Sequence, residues 1–203
     1  IMVFNFQNIR ASSAQLDQPV IKVVDPTSGS SSMSFGSASD EMPSGGYNFT
    51  VDVVLNGLAP SLYTYQIALA FNKSAVRCGA AWIPTDAPNF VFDGKSTIKV
   101  LAQFDPLGRY VFLGSNLQLL SDVADVTQGL LVKANFTVFR TGSFSIHIVP
   151  TEDPTYPWDS VMMDPRQFAI SFTPSSTASP PPSSSHCSII LSSLACLSFL
   201  ARR

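Results

Sequence analysis

Two segments with an apolar residue at every second position, both within residues 46–84, are the feature that most constrains the fold of this chain. Apolar side chains recur at every second position from Phe49 to Leu55 and again from Tyr63 to Phe71. A period of two residues sends successive side chains to opposite faces of a strand, and it is typical of antiparallel strands with one buried face. The segment therefore predicts two such strands.

The same pattern returns along the rest of the chain. Alternating segments lie at residues 98–104, 130–138 and 144–149, with short apolar segments at 20–24, 110–113 and 168–172. Turn sequences at residues 105–108 and 141–142 separate neighbouring segments. No window repeats apolar residues at helical spacing over three turns. We expect an all-β, antiparallel sandwich of two sheets with seven or more strands.

Composition indicates the cellular location of the chain and argues against nucleic acid as a partner. Charged residues make up only 13% of the 203 residues, whereas 29 are serine, and the net charge of −2 is spread without basic clusters. A phosphate-backbone binder needs a basic surface, so nucleic acid is not an expected partner. Three N-glycosylation sequons begin at Asn48, Asn72 and Asn135. Together these features predict an extracellular or cell-surface protein.

Three cysteines give no framework of disulfides or metal ligands. Cys78 stands alone in the body of the chain, and Cys187 and Cys196 lie near its end. We expect Cys78 to pack in the interior, no cofactor, and a domain stabilised by apolar burial.

Composition also divides the chain. Residues 1–19 suit a leader or the remainder of a secretory signal, and residues 20–174 form the predicted sandwich. A Ser/Pro-rich stretch at 175–186 predicts an extended stalk. Residues 187–203 are a short hydrophobic tail that suits membrane attachment at a cell surface, although its apolar part is short for a spanning helix.

The body resembles the cohesin-like modules of extracellular proteins, especially archaeal surface relatives of cellulosomal cohesins. The similarity rests on residues 46–55, 62–72, 76–78 and 81–84, with Phe92, Gly94 and Lys95, and on residues 159–165 and 168–170 near the end. It implies a nine-stranded jelly-roll shared with several carbohydrate-binding modules, and it implies no catalytic residues. In cellulosomal cohesins one flat sheet face docks a Ca²⁺-loaded helical dockerin, so a dockerin-like surface protein is the implied partner.

Strand phase suggests which side chains would meet such a partner. If residues 63–71 and 130–138 lie in one sheet, Thr64, Gln66 and Lys133 face outward together with Asn135 and Thr137. The alternative is an ordinary solvated sheet face.

Exposed aromatic residues support a second hypothesis, a module that binds polysaccharide. Sugar rings stack on aromatic faces, and Trp82, Tyr156 and Trp158 are the candidates. Packing of these rings over the end of the core is the competing interpretation.

Catalytic and metal sites are not predicted. His147 is the only histidine of the body and takes the outward phase of its strand, and no Gly-x-Ser-x-Gly turn occurs. Acidic residues that might suggest calcium ligation or glycosidase chemistry, Glu152, Asp153, Asp159 and Asp164, lack the required spacing. The sequence thus predicts a non-catalytic binding or adhesion module, with a purely structural role in a surface layer as a third hypothesis.

Overall fold

The structure, a computed structural model, describes residues 19–35, 42–149, 160–163 and 187–193. These residues form eleven strands and one short 3-10 turn at Leu120–Asp122. The strands are β1 (Val20–Val24), β2 (Ser32–Phe35), β3 (Tyr47–Leu62), β4 (Thr64–Phe71), β5 (Val76–Trp82), β6 (Thr97–Phe104), β7 (Tyr110–Leu117), β8 (Ala124–Val138), β9 (Ser143–Ile148), β10 (Val161–Met163) and β11 (Cys187–Ser193). The prediction of an all-β chain is confirmed. The described residues form eleven strands where the resemblance implies about nine, and the strands that were not predicted include the short β2 and β10 and also β11, which lies in the predicted tail.

The strands form two sheets packed face to face, as predicted. The four-stranded sheet has the order β1-β3-β8-β5. The seven-stranded sheet has the order β2-β11-β9-β4-β7-β6, and β10 pairs with β4. Among the described strands the pairing is antiparallel except between β11 and β9.

Alternation explains how the core is filled. The inward residues Val51, Val53, Leu55, Tyr65, Ile67 and Leu69 of β3 and β4 are buried, and facing strands supply Val111, Leu113, Val132, Phe136 and Ile146, each at most 1% exposed. Each fully buried side chain of this kind contributes roughly 1.5–3 kcal/mol. Alternating strands of both sheets therefore account for most of the interior.

Four phenylalanines connect the two sheets at one end of the core. The ring of Phe49 lies 5.1 Å from that of Phe35 and 5.7 Å from that of Phe136, and Phe136 meets Phe71 edge-on at 5.3 Å between ring centroids. Such offset and edge contacts are the favoured aromatic geometries. They fix β3 and β8 relative to β2 and β4.

Tyr65 supplies a polar link between the sheets. Its buried hydroxyl donates a hydrogen bond of 2.7 Å to the carbonyl oxygen of Leu131. Leu131 lies where the β3–β8 register shifts between Val53 and Val54. Burial raises the pKa of the Tyr65 hydroxyl well above its usual value, so it remains a donor.

The predicted hairpin of β6 and β7 is confirmed. Gly108 closes the turn in the left-handed region (φ 68°) and its N–H donates to the carbonyl of Asp105 at 2.7 Å. The Arg109 guanidinium donates to the Asp105 carboxylate at 2.8 Å and holds the pKa of that carboxyl below its usual range.

Part of the predicted tail belongs to a sheet. Cys187–Ser193 form β11, which lies between β2 and β9 with Ile189 opposite Met33 on one side and Phe144 on the other. The predicted stalk, the closing strand at 168–172 and the leader up to residue 18 fall outside the described residues. Across the described part of the chain, no helix has the length and hydrophobicity needed to cross a membrane.

Candidate functional site

Thr64, Gln66 and Lys133 do not share a face. The prediction required residues 63–71 and 130–138 to lie in one sheet, but β4 belongs to the seven-stranded sheet and β8 to the four-stranded one. This premise is wrong. Alternation indicates which residues point outward from a strand, and only pairing decides which strands are neighbours.

On the four-stranded sheet, six outward side chains form three consecutive cross-strand pairs, which we call the polar ladder. The pairs are Asn48 with Thr137, Thr50 with Asn135, and Asp52 with Lys133. The Thr137 hydroxyl donates to Asn48 Oδ1 at 2.6 Å, the Thr50 hydroxyl donates to Asn135 Oδ1 at 2.8 Å, and Lys133 Nζ donates to Asp52 Oδ1 at 2.8 Å. The polar groups of this surface are thus matched to each other, and Lys133 is bound within the chain.

On the seven-stranded sheet, the outward side chains of β4, β7 and β6 form a different surface. One row contains Thr64, Asn116 and Ile98, and the next contains Gln66, Gly114 and Val100. Ile98 is 52% exposed and Val100 is 43% exposed. We call the five side chains Thr64, Gln66, Asn116, Ile98 and Val100 the open face.

The centre of the open face is flat because Gly114 has no side chain. A Cβ at this position would lie 2.6 Å from the carbonyl oxygen of Tyr65 and 3.3 Å from the Cα of Gln66. The backbones of β4 and β7 approach each other here in a way that only glycine permits. The surface between Gln66 and Val100 is therefore bare backbone.

The same sheet is covered further along its outer side. Ala68, Ala70, Tyr110, Phe112 and Val149 form a second buried apolar cluster, each at most 5% exposed. Ser160 lies beside it, and its hydroxyl oxygen accepts a hydrogen bond from the Ala68 N–H at 3.0 Å. The open face is consequently bounded on one side by a closed apolar layer.

Sequence reasoning missed Ile98 and Val100 as surface residues. Their alternation with Lys99 suggests an inward phase, but the register places Ile98 opposite Asn116 and Val100 opposite Gly114 on the outer side. The sequence of β7 does not show the phase either, because residues 110–113 are apolar at all four positions. Only the register with β7 places Ile98 and Val100 on the outer side of the sheet.

The sugar-stacking candidates are not brought together among the described residues. Trp82 ends β5 and is 38% exposed, whereas Tyr156 and Trp158 lie outside the described residues. A cleft of about 680 Å³ between β1, β3 and the loop before β6 is lined by Lys22, Asn56, Asn89 and Gln128, but its aromatic residue, Phe90, is only 4% exposed. This cleft offers amide and ammonium groups without a ring face for stacking.

The remaining titratable groups give no constellation for catalysis in the described part of the chain. His147 lies opposite Ala70 in the outward phase of β9. Burial raises the pKa of the Cys78 thiol to about 12, so Cys78 is a packed thiol rather than a nucleophile. No group of three His, Cys, Asp or Glu side chains suited to a metal occurs among the residues described, and Glu152, Asp153, Asp159 and Asp164 are not among them.

No protein-family model matches the sequence, and no curated protein matches it significantly. Solved structures do match. The chain aligns with one in the crystal structure of a CaDoc0917–CaCohA2 complex at pH 5.5, at 12% identity and a TM-score of 0.51, over 86% of this chain and 100% of the other. It aligns with the solution structure of CaCohA2 from Clostridium acetobutylicum at 12% identity and a TM-score of 0.50, over 87% and 92% of the two chains.

A type I cohesin–dockerin complex from Clostridium thermocellum, Coh-OlpC with Doc435, also aligns, at 9% identity and a TM-score of 0.47 over 88% of this chain and 96% of the other. Similarity at such low identity concerns the fold. The chain has a cohesin-like fold, as its sequence motifs suggested.

Proposed function

We propose that this chain is a non-catalytic binding module that recognises a protein partner through the open face. The observation that carries the proposal is the pair of exposed apolar side chains, Ile98 and Val100, beside Thr64, Gln66 and Asn116 on one flat sheet surface. The proposal includes a position outside the cell, which the sequons and the low content of charged residues support.

The chemistry of the open face suits a protein better than a sugar. Protein interfaces combine an apolar centre with polar groups at the rim, and they are depleted of charge at the centre. The open face has no charged side chain and combines two aliphatic side chains on the edge strand β6 with two amides and one hydroxyl on β4 and β7. A sugar site would need an exposed aromatic ring, and none of the five side chains is aromatic.

The flatness at Gly114 restricts the shape of the partner. Bare backbone between Gln66 and Val100 favours a partner that lies across the sheet and inserts side chains of its own over the glycine. A dockerin-like module is the first partner class to test, because CaCohA2 shares this fold and is found in complex with CaDoc0917.

The test compares a variant of the open face with a control variant on the other sheet, and both change the net charge by the same amount. Ile98→Glu/Val100→Glu adds two negative charges to the open face, and Lys22→Glu makes the same change on the outer side of β1. Both variants and the wild type are immobilised and exposed to surface proteins of the source organism and to purified dockerin modules, and captured proteins are identified by mass spectrometry. Each captured protein is then purified and its Kd measured by calorimetry.

We expect one captured protein to bind the wild type and Lys22→Glu equally and to bind the double variant on the order of 100-fold more weakly, since two unpaired charges would have to be desolvated where the wild type buries apolar side chains. Thermal unfolding of the three proteins checks that all are folded. Equal binding by the double variant, or loss of binding only in Lys22→Glu, would overturn the proposal. Binding of a polysaccharide that depends on Trp82 would also overturn it.

A further inference from the structure

Two of the three sequons lie directly opposite each other. Asn48-Phe49-Thr50 is in β3 and Asn135-Phe136-Thr137 is in β8, and the antiparallel register pairs Asn48 with Thr137 and Thr50 with Asn135. The asparagine of each sequon is therefore hydrogen-bonded to the threonine of the other. These residues are the first two pairs of the polar ladder.

The middle residues of the sequons hold this arrangement in place. Phe49 and Phe136 are paired in the register, and their rings stack at 5.7 Å on the core side. Because side chains alternate along a strand, anchoring each Phe inward sends Asn and Thr of the same sequon outward together. A shift of either strand by one residue would turn its asparagine towards the core. Packing of the two phenylalanines therefore fixes the register that pairs Asn with Thr on the outer side of the sheet.

The hydrogen bonds of the ladder engage the oxygen of each amide. Thr137 and Thr50 donate to Oδ1 of Asn48 and Asn135, and both asparagines are exposed. N-linked glycosylation modifies the other atom, Nδ2. The modified amide keeps Oδ1 as an acceptor, so attachment of a sugar leaves both cross-strand hydrogen bonds intact.

The neighbouring strands leave space on either side. Beside Asn135, β5 presents Ala80 in the register and Gly79 at a bulge, and a Cβ at Gly79 would meet only the Asn135 carbonyl oxygen at 4.0 Å. Beside Asn48, β1 has already ended, because its last residue, Val24, pairs with Asp52. Both asparagines thus lie next to small side chains or past a strand end.

We propose that Asn48 and Asn135 both carry N-linked glycans, which makes the outer side of the four-stranded sheet a glycan-bearing face. In the modification, a bond forms between Asn Nδ2 and C1 of the sugar while the bond from C1 to the phosphate of a lipid-linked oligosaccharide breaks. One Nδ2 proton is lost, and the lipid phosphate leaves. The glycans stand on the sheet opposite the open face, so they leave the partner's approach unobstructed.

The test is secretion of the full chain from a eukaryotic host, followed by enzymatic deglycosylation in ¹⁸O water and peptide mass spectrometry. The wild type should carry the ¹⁸O mark at Asn48 and Asn135. Thr50→Val should abolish the mark at Asn48 and retain it at Asn135, although Thr50 is the hydrogen-bond partner of Asn135. Thr50→Ser keeps both the hydroxyl and the sequon and should retain both marks.

Asn72 provides an internal comparison, since its Oδ1 accepts from the Ser74 N–H and hydroxyl in an exposed turn rather than in a strand. Unmodified Asn48 or Asn135 in the folded, secreted wild type would overturn the proposal, whatever Asn72 carries. The affinity for the open-face partner is also compared between the glycosylated and the deglycosylated protein. A lower affinity of the glycosylated protein would overturn the claim that the glycans leave the open face accessible.

Discussion

The outer surfaces of the two sheets use their polar side chains in opposite ways. In the polar ladder, the two residues of each pair are hydrogen-bonded to each other across β3 and β8, at distances of 2.6 to 2.8 Å. In the open face, Thr64 and Asn116 bond to the carbonyls of Ser115 and Leu117, and Ile98 and Val100 remain exposed beside them. A surface whose polar groups already satisfy one another gains little from a protein partner, whereas exposed apolar area gains from being covered. Three changes test this contrast, and a fourth tests the buried link that holds the two sheets together.

The largest expected effect comes from breaking the ion pair of the polar ladder. Lys133→Ala leaves Asp52, whose side chain is 12% exposed, without its cation. Because the pair is partly solvated, we expect a loss of about 2–3 kcal/mol in the free energy of unfolding, below the figure for a fully buried pair. Urea unfolding of the single variant measures it.

The double variant Asp52→Asn/Lys133→Met removes both charges and should recover most of this loss. Thr64→Ala, the matched truncation on the open face, should change stability by no more than about 0.5 kcal/mol. Equal losses for Lys133→Ala and Thr64→Ala would mean that the two surfaces do not differ in internal pairing.

The next effect concerns the flat centre of the open face. Gly114→Ala forces a Cβ to within 2.6 Å of the Tyr65 carbonyl oxygen, so β4 and β7 must move apart. We expect destabilisation of about 2 kcal/mol, typical of overpacking. Thermal unfolding measures the change.

Gly79→Ala is the matched control, a strand glycine on the other sheet whose added Cβ meets only a carbonyl at 4.0 Å. It should be nearly neutral. A neutral Gly114→Ala would show that the close approach of β4 and β7 is not a requirement of the open face.

A smaller effect tests the polar link between the sheets. Tyr65→Phe removes the donor to Leu131 and should lower stability at pH 7 by about 1 kcal/mol. Burial raises the pKa of Tyr65 above the value in the unfolded chain, which is about 10. The unfolded state therefore loses its proton first, and the stability contributed by Tyr65 is lost as pH rises above about 10. Urea unfolding between pH 7 and 11 should show the difference between wild type and variant shrinking at the alkaline end, and a constant difference would contradict this account.

The smallest effect concerns a single step of the ladder. Thr50→Val removes one exposed cross-strand hydrogen bond and should cost about 0.5 kcal/mol in the unglycosylated chain. Bacterially produced protein, which carries no N-glycan of this type, gives the measurement by urea unfolding. Thr50→Ser keeps the hydroxyl and should match the wild type, and a larger loss for Thr50→Ser than for Thr50→Val would exclude the hydrogen bond as the cause.

Much of the fold was predictable from local pattern. The strands β3, β4, β6, β8 and β9 follow from apolar residues at every second position, β1 and β7 follow from short apolar segments, and the β6–β7 turn follows from the Asp-Pro-Leu-Gly sequence at residues 105–108. The strands β2 and β10 escaped prediction because three or four residues show no clear period, and β11 escaped because its apolar sequence suits a tail equally well. The binding surface was only half predictable, because Thr64 and Gln66 were identified as outward while Lys133 was assigned to the wrong sheet.

By itself the sequence determined the all-β class, the inward and outward phases of β3, β4 and β9, and the cohesin-like motifs, since each depends on neighbours within a few residues. Only the tertiary structure decided that β4 and β8 belong to different sheets, that Ile98 and Val100 join Thr64 and Gln66, and that two sequons meet across β3 and β8. The physical reason is that the hydrogen bonds of a sheet join residues far apart in sequence, so the composition of a face depends on which strands are neighbours.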